Sequence, residues 1–200
     1  VNPACEVRVG DVTDLSVVRA CMEDVDGCFH LAAVASVQRS NEDWARTHQI
    51  NLTGSVNVFE AARPKKVPVV YASSAAVYGD NAEMPLRESS GVRPLTAYGA
   101  DKLGSELHAR VAALMHAIPT VGMRFFNVFG PRQDPSSPYS GVISIFVDKL
   151  TKRQPLTIFG DGEQTRDFIY VADVVRFLAA AMEKADTTHQ VFNVCTGESV

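Results

Sequence analysis

Along the 200 residues, short apolar runs of strand length alternate with longer stretches whose apolar positions recur at helical spacing. The first run is brief. Val7 and Val9 flank Arg8 and lead into Gly10-Asp11, which predicts a short strand followed by a turn. Residues 15–22 carry an amphipathic helical pattern that Thr13 or Asp14 would cap. Residues 27–33 form a continuous apolar run ending in small side chains, as expected of a strand buried on both faces. Residues 42–63 predict one long helix, with Ile50, Val56, Val58, Phe59 and Ala62 as apolar positions and Pro64 as its stop. Gly54 sits inside that helix at a cost of about 1 kcal/mol against alanine, and close packing against the sheet is the expected reason.

The rhythm continues to the end of the chain. Residues 67–72 predict a buried strand, and residues 80–95 a loop punctuated by Asp80, Asn81, Pro85, Gly91 and Pro94. A helix then carries Tyr98 to about His116 and stops before Pro119. Residues 120–128 predict a strand, 142–152 a helix, 156–159 and 167–171 short strands around a glycine-bearing turn, 173–184 a helix, and 191–194 a last strand. Strand and helix in alternation predict an α/β fold built on a doubly wound parallel sheet.

Composition narrows the setting. A hydrophobic content of 46% is ample for a buried core, and a formal charge of −4 argues against broad nucleic-acid binding, which relies on many basic phosphate contacts. No apolar run approaches the ~20 residues of a membrane span, and no amino-terminal signal pattern appears. Cys5, Cys21, Cys28 and Cys195 lack metal-like or disulfide-like spacing, so reduced thiols in a cytoplasmic protein and no metal are expected.

The chemistry centres on Tyr98 and Lys102, which at i and i+4 share one helix face, so that the ammonium would favour the ionised phenol. Ser74, at the end of the residue 67–72 run, would donate a hydrogen bond to the same reacting oxygen. Alone the spacing is common and is usually a solvated pair. Its company is more specific: Gly10-Asp11, His30-Leu31-Ala32-Ala33, Asn51-Leu52-Thr53-Gly54, Ser73-Ser74 through Tyr78-Gly79, residues 124–132 and residues 159–168 occur in one order across nearly the whole chain. Together these resemble the extended short-chain dehydrogenase/reductase family, in particular its NAD-dependent sugar-nucleotide epimerase/dehydratase branch.

The resemblance implies a Rossmann-like fold, NAD as cofactor and a nucleotide-sugar substrate. It implies that Asp11 meets the adenine, although a turn or cap role is as natural on the local pattern. Leu31, Ala32 and Ala33 would line the phosphates and nicotinamide ribose, with Asn51, Ser73, Phe125, Tyr98 and Lys102 completing the cofactor site. His30 is expected to pack or hydrogen-bond inside the sheet. Ser74, Tyr98 and Lys102 would be catalytic; Ser74, Asn127, Arg132 and Arg166 would hold substrate, the arginines at its pyrophosphate. Asn127 could instead cap a strand end, and Arg124 could be a surface or core charge. The implied reaction is 4-epimerisation of UDP-glucose/UDP-galactose or their N-acetyl forms through a keto sugar. Ala75 and Ala76 stand where related dehydratases carry an Asp-Glu pair, which disfavours dehydration. A related reductase and a noncatalytic dinucleotide sensor on the same fold are the alternatives.

No Gly-x-Gly-x-x-Gly or Gly-x-x-Gly-x-x-Gly loop occurs in the sequence, although the family opens with one. The expectation is therefore a fragment: residues 1–130 as a truncated dinucleotide-binding domain with the catalytic residues, and 131–200 as part of a smaller sugar-nucleotide lobe interleaved with returning core elements. The full-length protein would be a homodimer. The sheet would be visibly incomplete, or residues 7–9 would pair directly beside residues 29–31.

Overall fold

A computed structural model describes residues 3–137 and 140–200. Its centre is a four-stranded, wholly parallel sheet in the order β1-β2-β3-β6, where β1 is Cys28–His30, β2 Val69–Ser74, β3 Thr120–Phe125 and β6 Gln190–Val194. The central pair runs in register from Val69 opposite Thr120 to Ser74 opposite Phe125. Alternate β2 side chains feed different cores, because successive strand residues point to opposite faces. Val69 and Tyr71 pack with α1 (Leu15–Met22), α4 (Gly54–Ala62) and α5 (Ala97–His116), while Val70 packs with Val121, Met123, Val194 and the Val174, Leu178 and Ala181 stripe of α7 (Val171–Lys184). Helices thus cover both faces, which is the doubly wound arrangement. A second parallel pair, β4 (Asn127–Phe129) with β5 (Phe168–Tyr170), lies beyond the main sheet, and α6 (Val142–Thr151) belongs to the same half of the chain.

Several elements depart from expectation. Residues 7–9 form no strand and pair with nothing in the sheet; Val7 and Val9 are exposed, and β1 is the sheet edge with Phe29 half-exposed. Three alternating residues without a partner strand make too few hydrogen bonds to hold an extended ladder. The expected helix of residues 42–63 is present as an unbroken stretch from Trp44 to Ala62, made of α3 (Trp44–His48), a π-helical turn Gln49–Thr53 and α4, with a separate α2 (Val37–Glu42) before it. Gly54 packs against Val12 of the loop before α1 rather than against the sheet: a Cβ there would lie 2.7 Å from Val12 Cγ1. Residues 120–128 divide between two sheets at Phe126, and residues 156–159 are irregular. Asp14 caps α1 by accepting from the Ser16 amide.

Candidate active site

The carboxyl ends of β1, β2 and β3 open into a cavity of about 980 Å³. The loop after β1 contributes Leu31 and Ala33, the end of β2 Ser73, Ser74 and Ala76, and α5 Tyr98 and Lys102. Phe125 and Asn127 continue the wall, and Ile143, Phe146 and Lys149 of α6 close it together with Phe159 and Arg166. Ligands gather at this end of a parallel sheet because loops here diverge from strands that end together.

Ser74 ends β2 in extended conformation and accepts from the Ala76 amide at 3.1 Å, starting a 3₁₀ turn over Ala75–Val77. Its hydroxyl also lies close enough to the Tyr98 phenol to favour the phenol's ionised form. That contact depends on how closely α5 begins beside the turn. Thr96 caps α5 by accepting from Gly99 N at 3.0 Å, and a Cβ on Gly99 would stand 2.6 Å from the Ala76 carbonyl oxygen. Only glycine admits that approach.

Lys102 is buried, donates to the Ala72 carbonyl at 2.7 Å, and holds its ammonium 5.7 Å from the Tyr98 ring centroid. Burial lowers its pKa from 10.5 to about 8, with Asp101 opposing. Burial raises the Tyr98 phenol above its usual value, and the nearby Ser74 hydroxyl pulls the other way. Desolvation of the anion is the larger of the two influences on the phenol.

Behind this wall lies a buried polar network. Arg124 donates from Nε and Nη2 to both oxygens of Glu106, at 2.9 and 2.7 Å, and from Nη1 to the Tyr78 hydroxyl at 2.8 Å. Burial disfavours the guanidinium charge, but bonds to Glu106 and Tyr78 overcome it and hold Arg124 above its ordinary pKa. Arg124 is therefore a core charge. Ser73 donates to Glu106 Oε1 at 2.5 Å, and Tyr78 donates to Asn193 Oδ1 at 2.6 Å. One network thereby ties β2, α5, β3, β6 and the loop after Gly79.

The remaining anticipated residues are distributed unevenly. Asn51 is fully buried in the π-helical turn, and its amide clasps the backbone of Val34 in both directions, at 2.7 and 3.2 Å. Its side chain holds the loop after β1 and does not face the cavity wall. His30 bonds Ser55 Oγ at 3.0 Å, inside the fold as expected. Asp11 accepts from Thr13 and pairs with Arg46 at 3.1 Å; the Thr13 amide bond is the first cause of its lowered pKa. Ala32 is exposed and off the wall. Asn127 lies on the wall while its Nδ2 donates to Asp167 O at 2.9 Å, coupling β4 to β5. Arg166 lines the cavity, and its backbone pairs with Val200 in both directions. Arg132 does not: it is exposed, with φ +73°, on the turn after Gly130. The cation that reaches the wall in its place is Lys149, whose signal was its position three and four residues after Phe146 and Ile145 on one face of α6. Among the described residues no group of His, Cys, Asp or Glu could hold a metal, and no helix is long and apolar enough to cross a membrane.

Residues 2–195 match the sequence model of the NAD dependent epimerase/dehydratase family. The chain belongs to that family. A putative UDP-glucose 4-epimerase of Methanocaldococcus jannaschii is 36% identical over 201 residues, covering 99% of this chain and 65% of the relative. The UDP-glucose 4-epimerase of Thermotoga maritima with UDP-glucose superposes with a TM-score of 0.95 at 33% identity, over 100% of this chain and 65% of that one. The UDP-N-acetylglucosamine 4-epimerase of Methanobrevibacter ruminantium in complex with UDP-N-acetylmuramic acid gives 0.90 at 38% identity, over 96% and 61%. This epimerase-family chain thus spans less than two thirds of each.

The family's cofactor suits part of this cavity. An ammonium has three protons to donate, and Lys102 spends one on Ala72 O beside the apolar wall of Leu31, Ala33 and Phe125. A ribose and a flat ring match such a surface. A glycine-rich pyrophosphate loop is absent from these 200 residues.

Proposed function

We propose that this chain carries the catalytic residues of an NAD-dependent nucleotide-sugar 4-epimerase acting on UDP-glucose and UDP-galactose or on their N-acetyl forms. The observation that carries the reading is that Ser74, Tyr98 and Lys102 share one wall of a cavity at the carboxyl ends of the parallel strands. Tyr98 accepts the proton of the C4 hydroxyl, Ser74 donates a hydrogen bond to the same oxygen, and Lys102 supports the phenolate. Lys102, with Leu31, Ala33 and Phe125, would hold the nicotinamide ribose. NAD, when bound, supplies the hydride acceptor and donor, so that a keto sugar reduced on its opposite face is inverted at C4. Arg166 and Lys149 neutralise the pyrophosphate, and Asn127 offers its amide oxygen to the sugar side. Ala75 and Ala76 carry no proton for a leaving hydroxyl, which separates this site from a dehydratase.

We further propose the division into residues 1–130 and 131–200, the latter returning β6 to the main sheet. A homodimer of the complete protein is supported by Leu107, Val111, Leu114 and Met115, exposed along α5. A cytoplasmic setting is supported by four unpaired thiols.

The test is incubation of the complete protein with UDP-glucose and, separately, UDP-N-acetylglucosamine, followed by chromatography of the sugars. Interconversion with the 4-epimer is expected for one or both. A 4-keto-6-deoxy product, or net NADH accumulation without an epimer, would replace this reading with a dehydratase or an oxidoreductase.

A further inference from the structure

Asp167 stands where the two sheets are joined. Its carboxylate takes three hydrogen bonds from the turn that follows β6: Oδ1 accepts from the Thr196 amide at 2.9 Å and the Thr196 hydroxyl at 2.8 Å, and Oδ2 from the Gly197 amide at 2.7 Å. Its backbone carbonyl accepts from the amide and from Nδ2 of Asn127, at 3.2 and 2.9 Å. Placed immediately before β5, it therefore grips the turn after β6 and the start of β4 together. Gly197 has φ +83° and nothing within 4 Å of where a Cβ would stand, so glycine is used there for the backbone angle and not for space. Thr196 and Gly197 are both exposed, and their amides would find water if the carboxylate were removed. What these bonds supply is direction.

That direction passes to Arg166. Arg166 lines the cavity, and its backbone amide and carbonyl pair with Val200 at 2.9 and 3.0 Å. Val200 lies three residues beyond Gly197, so one short segment is fastened beside β5 at both of its ends. On the other side of Arg166 the chain runs through Gly160 and Gly162, where the bonds are local: Asp161 accepts from the Glu163 amide at 3.1 Å, and Gln164 donates to the Phe159 carbonyl at 3.4 Å. The guanidinium donates from Nη1 to the Thr165 carbonyl at 2.7 Å and has further N–H groups to offer a phosphate.

We propose that Asp167 is a positioning residue that aims Arg166 at a diphosphate in the cavity, and so governs how tightly a nucleoside diphosphate is held rather than how fast a bound one reacts. This rests on the epimerase reading for the identity of the ligand; the fastening of Arg166 does not. Ser74, Tyr98 and Lys102 stand on β2 and α5, whereas the bonds of Asp167 run to β4 and the turn after β6. The reacting end is therefore expected to keep its geometry when this fastening is loosened.

The test is calorimetric titration of the complete protein with UDP and with NAD, alongside turnover of UDP-glucose. Asp167→Ala is expected to weaken UDP about tenfold, the effect of one misplaced charge-assisted contact, with the NAD Kd unchanged. In turnover KM should rise by a similar factor while kcat stays within about twofold. In an Arg166→Ala background the same substitution is expected to add less than about twofold, because a residue that acts through another then has nothing to aim. Thr196→Val, which keeps the amide and removes the hydroxyl, is expected to weaken UDP by a smaller factor and serves where Asp167→Ala does not fold. An unchanged UDP Kd in folded Asp167→Ala, or in Thr196→Val where that alone folds, overturns the inference. Losses from Asp167→Ala and Arg166→Ala that simply multiply overturn it as well, and so does an equal loss of UDP and NAD, the mark of general loosening. UDP binding that depends on Asp167 in a protein that forms no epimer leaves the positioning role standing and removes the epimerase reading; epimer formation with a UDP Kd indifferent to Asp167 does the reverse.

Discussion

At the scale of single residues, Tyr98 and Tyr71 illustrate opposite fates of a buried phenol. Tyr98 borders the cavity beside Ser74, so Tyr98→Phe removes a proton acceptor and little packing. In the complete enzyme kcat should fall by at least ~100-fold with NAD affinity nearly unchanged, as read by turnover and by cofactor titration. A matching loss of NAD affinity would show that the hydroxyl binds cofactor as well. Tyr71 is 1% exposed and its hydroxyl has no partner. Tyr71→Phe should therefore raise stability by about 1 kcal/mol, since it removes an unsatisfied polar group and keeps the ring contacts with Phe59 and His189. Urea midpoints for the two proteins check this, and a destabilised variant would mean that the hydroxyl has a partner after all.

At the scale of elements, the junction between the turn after β2 and the start of α5 decides whether the site assembles. Gly99 lets the first turn of α5 lie on the Ala76 carbonyl, and backbone cannot retreat as a flexible side chain would. Gly99→Ala should cost about 1–3 kcal/mol through overpacking. It should also lower kcat, because the shift falls between Ser74 and Tyr98. Stability lost with kcat retained would place the adjustment on the far side of the turn. The π-helical turn acts similarly in the neighbouring layer: its wider winding presents Asn51 inward, where it grips Val34 and sets the loop that brings Leu31 and Ala33 to the wall.

At the scale of the whole molecule, stability towards acid depends on a histidine that the fold buries neutral. Burial lowers the His30 pKa from 6.5 to about 4, with the Lys102 charge adding to the effect. Between those values the unfolded chain binds a proton that the folded chain refuses, so stability falls as pH drops through 6.5 and the loss is complete near 4. The span corresponds to on the order of 3 kcal/mol. His189 is shifted in the same direction, first by burial, and adds to the slope. Urea denaturation from pH 7 to pH 4 should show this fall, and His30→Gln should flatten it; an unchanged slope in that variant would assign acid sensitivity to other groups.

What the sequence by itself determined is whatever depends on neighbours along the chain. Apolar runs of fixed length marked β2 and β3, helical periodicity marked α1, α5 and α7, and the i, i+4 spacing put Tyr98 and Lys102 on one face. The fold class and the place of Ser74 at the end of β2 were legible for the same reason. Only the tertiary structure decided the rest, because it turns on partners distant in sequence. Residues 7–9 had the alternation of a strand but no strand to pair with. Asn51 had the right neighbours for a cofactor site but its amide is taken up by the Val34 backbone, away from the wall. Arg132 and Lys149 are both cations near glycine or aromatic residues, and which one reached the cavity depended on the path of the turn after Gly130 and the docking of α6. The charge state around Tyr98 was likewise a matter of depth: a buried phenol and a buried ammonium are each pushed towards neutrality, a force that no local spacing records.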